Sequence, residues 1–174
     1  ENYFTIKPKA FIKAKLLGRD GGNFDQAMNA QALIKTNVRG DNLWVLRDTA
    51  SLMENVRPFE PELTRADANI LAAPYLPGIY ATLRKRSPLW EIYFLLPRPL
   101  EEQQAMVQEL ESRQVNWALV CSHYVDDRPD LQFSNTHGLL WNYLVANFDT
   151  LSPKVDQNCS LMRRRAISPA DVSQ

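Results

Sequence analysis

The chain has 174 residues, 45% of them hydrophobic, so it can bury one sizeable core, and a single domain is expected. Twenty basic and twenty acidic side chains cancel, which excludes a global field gathering nucleic acid or an anionic membrane. Two cysteines exclude a disulfide-built scaffold, and no apolar run approaches the ~20 residues of a bilayer span.

The first third reads as β-rich. Tyr3–Ile6 alternates weakly. Lys9–Leu17 alternates better, with Ala10, Ile12, Ala14 and Leu16 on one parity and Phe11, Lys13 and Lys15 on the other. That is a half-buried strand whose lysines guard an exposed edge. Arg19–Asn23 is a turn, and Phe24–Ala30 is ambiguous, with Met28 inward if it is helical. Ala32–Thr36 and the apolar Leu43–Leu46 are short strands around a loop that holds Gly40. From Asp48 the pattern becomes alternating helix and strand. Asp48 is placed to cap a helix over Thr49–Arg57 that faces Leu52, Met53 and Val56 inward. Pro58 and Pro61 bound a polar link.

Asn69–Leu96 is the organising unit. Ile70–Ala73 is a strand, Pro77 opens a short helix, and Arg84, Lys85 and Arg86 suit its C-terminal dipole. Ser87-Pro88 stops it. Trp90–Leu96 has the aromatic and β-branched content of a buried strand. Leu100–Gln114 is the clearest helix, with Glu101 and Glu102 first and Arg113 last. Asn116–Cys121 is a buried strand, and Ser122–Asn135 a polar loop. Thr136 caps a helix over His137–Phe148. Ser160–Arg165 closes the sheet as an edge strand, and the tail frays from Ala166. The expected fold is therefore α/β: a three-layer sandwich around a mixed, mostly parallel sheet, with antiparallel N-terminal strands and a C-terminal edge strand. The antiparallel extension covers residues 1–37, the core 38–165 and the tail 166–174.

No constellation names a reaction. Neither GxGxxG nor GxxxxGK[ST] occurs. The turn Pro74–Gly78 lies between a strand and a helix, where anions bind, but its two prolines remove donors such a site needs. His123, His137, Asp126, Asp127 and Asp130 lack the spacing of a metal site, so solvated loop acids are expected. Cys121 and His123 share a strand face and do not aim at each other for proton transfer. Cys121 and Cys159 are expected as buried free thiols, with one bridge as the alternative if their strands are neighbours. Glu91, amid apolar residues, is expected in an ion pair with Arg84 or Arg86. The runs Arg84–Arg86 and Arg163–Arg165 read as a solvated helix end and a charged edge strand, with lipid headgroups or an anionic lipid-linked substrate as the alternative.

Four segments stand out together: RGDNLWVLRDTASL (Arg39–Leu52), APYLPGIYATLRKRSP (Ala73–Pro88), EEQQAMVQELESRQVNWALV (Glu101–Val120) and FSNTHGLLWNYLVANFDTL (Phe133–Leu151). In this order and spacing the chain resembles the C-terminal soluble domain of bacterial polytopic membrane proteins. The membrane part of those proteins is similar to protein-mannosyltransferase-type glycosyltransferases, which use lipid-phosphate sugar donors. Pro74, Pro77, Tyr80, Leu83, Arg86 and Pro88 occupy the matching places of a turn-and-helix pattern in that family, and the last helix and Leu161–Arg165 also fit. Residues 1–37 offer no motif to match.

The resemblance implies a domain excised from a longer membrane protein, in keeping with a chain that starts at Glu1 rather than Met. It would lie on the extracytoplasmic, periplasmic side. The family's catalytic acids belong to the membrane part, so none is carried onto this chain. The expected role is a non-catalytic accessory domain for acceptor recognition or a lid over the membrane site. Its partners would be its own N-terminal membrane domain and a lipid-linked sugar or the membrane surface, with no nucleic acid, metal or cofactor. Substrate contact is expected at Tyr75, Tyr80, Arg84, Arg86 and His137. An independent small-ligand or nucleotide-binding α/β enzyme and a structural interaction module are the alternatives.

Overall fold

The computed structural model describes residues 33–38, 40–122, 128–151 and 158–166. The expected strands at Tyr3–Ile6 and Lys9–Leu17, the turn at Arg19–Asn23, the segment Phe24–Ala30, and His123, Asp126 and Asp127 lie outside the described residues.

β1 (Leu33–Val38) and β2 (Asp41–Leu46) form an antiparallel hairpin. Gly40 turns it at φ 97°, a left-handed conformation that a Cβ would oppose, and its N–H donates to Asn37 Oδ1 at 3.1 Å. β2 contains the apolar strand expected at Leu43–Leu46, yet Leu43, Trp44 and Leu46 are exposed. α1 (Arg47–Val56) follows at once, so Asp48 sits in the first turn and not at the cap. Its negative charge there still complements the helix dipole. Ala50, Leu52 and Val56 are its buried residues. The prolines expected to bound a link instead lead a 3-10 turn, Arg57–Phe59, into the short α2 (Glu60–Leu63). Both prolines occupy first-turn positions, where no backbone donor is missed.

The core sheet contains β3 (Ile70–Ala73), β4 (Trp117–Cys121), β5 (Phe148–Thr150) and β6 (Cys159–Arg164), in the order β3-β4-β6-β5. β3 and β4 are parallel, and β6 is antiparallel to both β4 and β5. Three strands thus share a direction and one opposes them, so the sheet is mixed. β6 is not the expected edge strand. Leu161 and Met162 are buried on opposite faces, and β5, too short to stand out in the sequence, takes the outer position. The three arginines that suggested an edge lie at the end of β6 rather than along it.

α3 (Pro77–Leu83), α4 (Leu100–Ser112), α5 (Phe133–Thr136) and α6 (Gly138–Asn147) complete the core. Alternation along β3 sends Ile70 and Ala72 to one face, with Leu52, Val56, Leu63, Ile79 and Leu83. Leu71 and Ala73 face the other way, toward Leu110, Phe133, Leu140 and Leu144. Helices therefore cover both faces, and the fold is an α/β three-layer sandwich. Each fully buried Leu or Ile stabilises it by about 1.5–3 kcal/mol.

Candidate functional site

β3 is an edge strand, and α3 lies over it. Tyr80 is only 6% exposed, and its hydroxyl accepts a hydrogen bond from the Ala72 N–H at 2.9 Å. A side chain thus satisfies a backbone donor of the edge strand. Burial pushes the Tyr80 phenol above its ordinary range, although its hydrogen bonds oppose the shift. Tyr80 is a core residue and offers no surface to a substrate.

α3 ends earlier than the Ser87-Pro88 stop suggests. Arg84 takes φ 53°, its N–H donates to the Ala81 carbonyl, and the Lys85 N–H donates to the Tyr80 carbonyl. This is a Schellman closure built without glycine. The Lys85 ammonium donates to the Arg65 carbonyl. Arg86 and Lys85 line a hollow of about 310 Å³ with Asn69, Ser87, Pro88 and Arg113. Neither Arg84 nor Arg86 has an ion-pair partner among the described residues.

The connection from Arg84 to Leu100 overturns one expectation: Trp90–Leu96 forms no strand. Pro88, Pro97 and Pro99 crowd the segment and supply no N–H for a ladder. It makes a single backbone bond toward β3, from the Phe94 N–H to the Pro74 carbonyl at 2.9 Å, just beyond the cis Ala73–Pro74 peptide. Leu89 and Phe94 are buried and anchor the connection, while Trp90 is 97% exposed. Tyr93 packs its ring on Tyr75 at 4.9 Å and an interplanar angle of 33°. Tyr75, Tyr93, Leu96 and Leu100 are all exposed. With Trp90 they are the exposed aromatic and aliphatic side chains, the rim, of this connection and of the turn that Tyr93 meets.

A polar network lies behind this rim. Glu91 pairs with Arg98 and not with Arg84 or Arg86: Arg98 Nε lies 3.0 Å from Glu91 Oε2 and Nη2 3.1 Å from Oε1. The helix cap directs Arg84 and Arg86 away, whereas Arg98 returns on the far side of the loop. Arg98 also reaches Glu102 at 3.5 Å. Gln103 is buried; its amide donates to the Arg98 carbonyl at 2.7 Å, and its oxygen accepts from the Leu139 N–H at 2.9 Å. Gln103 therefore ties the loop to α4 and α6, a role that nothing in a run of polar helix residues announces.

His137 is fully buried. Its ring stacks on Phe133 at 5.5 Å and meets Phe94 edge-on at 5.2 Å. Nδ1 lies 2.9 Å from the Thr136 hydroxyl, while Nε2 has no hydrogen-bond partner and sits 3.9 Å from Glu91 Oε2. Burial lowers its pKa below the ordinary histidine value, against the pull of Glu91. This histidine packs the core behind the rim and does not reach the surface.

The second basic run borders a larger hollow of about 540 Å³ at the same end of the sheet as Lys85 and Arg86, where β3 and β4 begin, lined in part by Glu62, Trp117 and Arg163. Arg163 lies over the Trp117 ring at 5.3 Å and pairs with Glu62 at 3.4 Å. Arg164 donates to the Val115 carbonyl at 3.5 Å. Arg165 pairs with Asp149 at 2.7 Å and also donates to the carbonyls of Val145, Ala146 and Phe148, closing the C-terminal end of α6. These arginines are engaged in holding the fold.

Cys121 and Cys159 face each other across β4 and β6, with Cα atoms 4.0 Å apart, and form a disulfide. The expected pair of free thiols is therefore replaced by the bridge. Antiparallel pairing at that register sets the two side chains directly opposite each other on one face of the sheet. No group of three or more His, Cys, Asp and Glu among the described residues is placed to hold a metal, and no described helix is long and apolar enough to cross a membrane.

The five residues expected at a binding surface do not converge. Tyr75, Arg84 and Arg86 are exposed near the two ends of α3, roughly 10 Å apart along its axis. Tyr80 and His137 are internal. Trp90, Tyr93 and Leu96 read in sequence as part of a buried strand, whereas Leu100 opens α4 as its sequence suggests. The prolines on either side, Pro88 and Pro97, are the signal that Trp90–Leu96 is no strand. Comparison of the chain with family models, with curated proteins and with solved structures returned no match.

Proposed function

We propose that this chain is a non-catalytic, extracytoplasmic α/β module of a membrane protein similar to lipid-phosphate-sugar-dependent glycosyltransferases, working beside the membrane site in acceptor recognition or as its lid. The observation that carries the extracytoplasmic part is the Cys121–Cys159 disulfide, which is buried and joins two central strands. Structural disulfides form and persist in oxidising compartments and are rare in the cytosol. The exposed aromatics, on the same connection as Arg84 and Arg86, which have no ion-pair partner among the described residues, support a module that meets something outside itself.

The test is a thiol count on denatured, unreduced protein that has been directed to the bacterial periplasm. The expected count is zero, and two thiols would overturn the assignment. Reduction should cost about 4 kcal/mol of folding stability, the loop-closure value for the 38-residue separation of the bridge. Chemical denaturation with and without reductant measures it.

A further inference from the structure

We propose that the connection Arg84–Leu100 docks this domain on an anionic phospholipid bilayer. Trp90, Tyr93 and Tyr75 would enter the headgroup–acyl boundary, and Arg84, Lys85 and Arg86 would meet lipid phosphates. The inference rests on the reading of the domain as a membrane neighbour and adds the surface and its ligand.

Three observations meet on one edge. First, the apolar side chains there are of the interfacial kind. Trp and Tyr have amphipathic rings that settle at the level of lipid headgroups. Trp90 is 97% exposed, which a monomer in water gains nothing from. Second, the loop is held out rather than left loose. Leu89 and Phe94 are buried, Phe94 is bonded to Pro74, and Glu91 is bidentate to Arg98. The exposed rings therefore need little further ordering on contact. Third, Arg84, Lys85 and Arg86 stand in succession at the start of this connection in a chain that is neutral overall. Arg84 and Arg86 are exposed and have no ion-pair partner among the described residues, while the carboxylates of Glu91 and Glu102 at its other end are both taken up by Arg98. Arg86 is four positions from Trp90, at most roughly 14 Å along an extended chain. Cations and rings can thus touch the same surface.

A soluble saccharide would use the aromatic faces but not the rest. The exposed Leu96 and Leu100 offer nothing to a hydroxyl-rich ring. A bilayer uses rings, leucines and cations together.

The experiment is sedimentation of the disulfide-bonded protein with phosphatidylglycerol–phosphatidylcholine vesicles and with pure phosphatidylcholine vesicles. Binding is expected on the mixed vesicles and should weaken with salt. Trp90→Ala should weaken it about tenfold, by loss of one buried aromatic. Replacing Arg84, Lys85 and Arg86 by Gln should weaken it about a hundredfold, at about fivefold per charge. Trp44→Ala, which changes an exposed tryptophan of β2, should leave it unchanged. As a second readout, the emission lost in Trp90→Phe should be quenched in the native protein by bromine-labelled acyl chains.

Absence of binding to the mixed vesicles overturns the proposal. So does binding that Trp90→Ala leaves intact, or that Trp44→Ala removes. Saturable quenching of Trp90 by maltohexaose without vesicle binding would assign the rim to sugar stacking instead. The thiol count is read without vesicles, so either result stands without the other.

Discussion

Among single residues, His137 carries the most consequence. Its Nε2 is buried without a hydrogen-bond partner, beside the carboxylate of Glu91, which pairs with Arg98, itself shared with Glu102. Such a nitrogen costs about 1–3 kcal/mol relative to a satisfied one. Because the folded pKa lies below the ordinary value, the unfolded chain takes up a proton at higher pH than the folded one. The contribution is complete above the unfolded value of about 6.5 and is lost as pH falls toward the lowered folded value. Urea denaturation from about pH 7 to pH 5 should show stability falling by up to ~1.4 kcal/mol per pH unit. In His137→Leu that slope should disappear, and an unchanged slope would place the titration elsewhere. Little of this was legible beforehand. His137 looked like a surface candidate because polar loop and helix start flank it, and only the turn of α5 carries it between Phe133 and Phe94.

At the level of elements, the helices that were easiest to find have ends that were hard to find. α3 closes through Arg84 at φ 53°. α4 closes the same way through Gln114 at φ 52°, with the Val115 N–H on the Leu110 carbonyl and the Gln114 N–H on the Glu111 carbonyl. Val115 and Leu110 are both buried, which supplies the apolar contact of the motif. Glycine is the usual sequence signal for this turn, and neither site has one. The left-handed conformation costs a non-glycine residue about 1–2 kcal/mol, and glycine gives some of that back as unfolded-state entropy. Arg84→Gly and Gln114→Gly should therefore each raise stability by about 0.5–1 kcal/mol. Both ends border the hollow that Lys85, Arg86 and Arg113 line, so the double variant measures how far the two effects are coupled. Midpoints of denaturation for the two single variants and the double variant check this, and a loss at either site would mean that its side chain contributes more than its backbone costs.

For the whole molecule, the α/β class and the sandwich of helices around a mixed sheet were readable from period and punctuation. Ile70–Ala73 and Trp117–Cys121 are buried runs of strand length, and Leu100–Ser112 carries Glu101 and Glu102 in its first turn, where the helix dipole favours them, with Arg113 at its C-cap. Strand order was not readable, because nothing local in Cys159–Arg164 says that it inserts between β4 and β5. The loop that forms the proposed docking edge was misread for a related reason. Trp90–Leu96 has strand composition, but the Ala72 N–H of β3 is already taken by the Tyr80 hydroxyl, and the segment's Phe94 N–H bonds instead to Pro74, beyond the strand. Composition records how apolar a segment is, while its neighbours decide whether that apolar surface is buried or presented.

The position of β6 has a consequence for biogenesis. The strand that joins β4 to β5 lies after both of them in the chain. A nascent polypeptide that has emerged only as far as Thr150 can pair β3 with β4 but has no strand to join β4 to β5, and those pairings wait on β6. A chain truncated after Asn158 should therefore show no cooperative unfolding transition and should be cut rapidly by protease at the unpaired β4 edge. Protection comparable to the longer chain would refute this. For a domain exported during synthesis, completion of the fold would then report that the whole segment has arrived, and the disulfide between β4 and β6 would close behind it as a covalent record of that arrival.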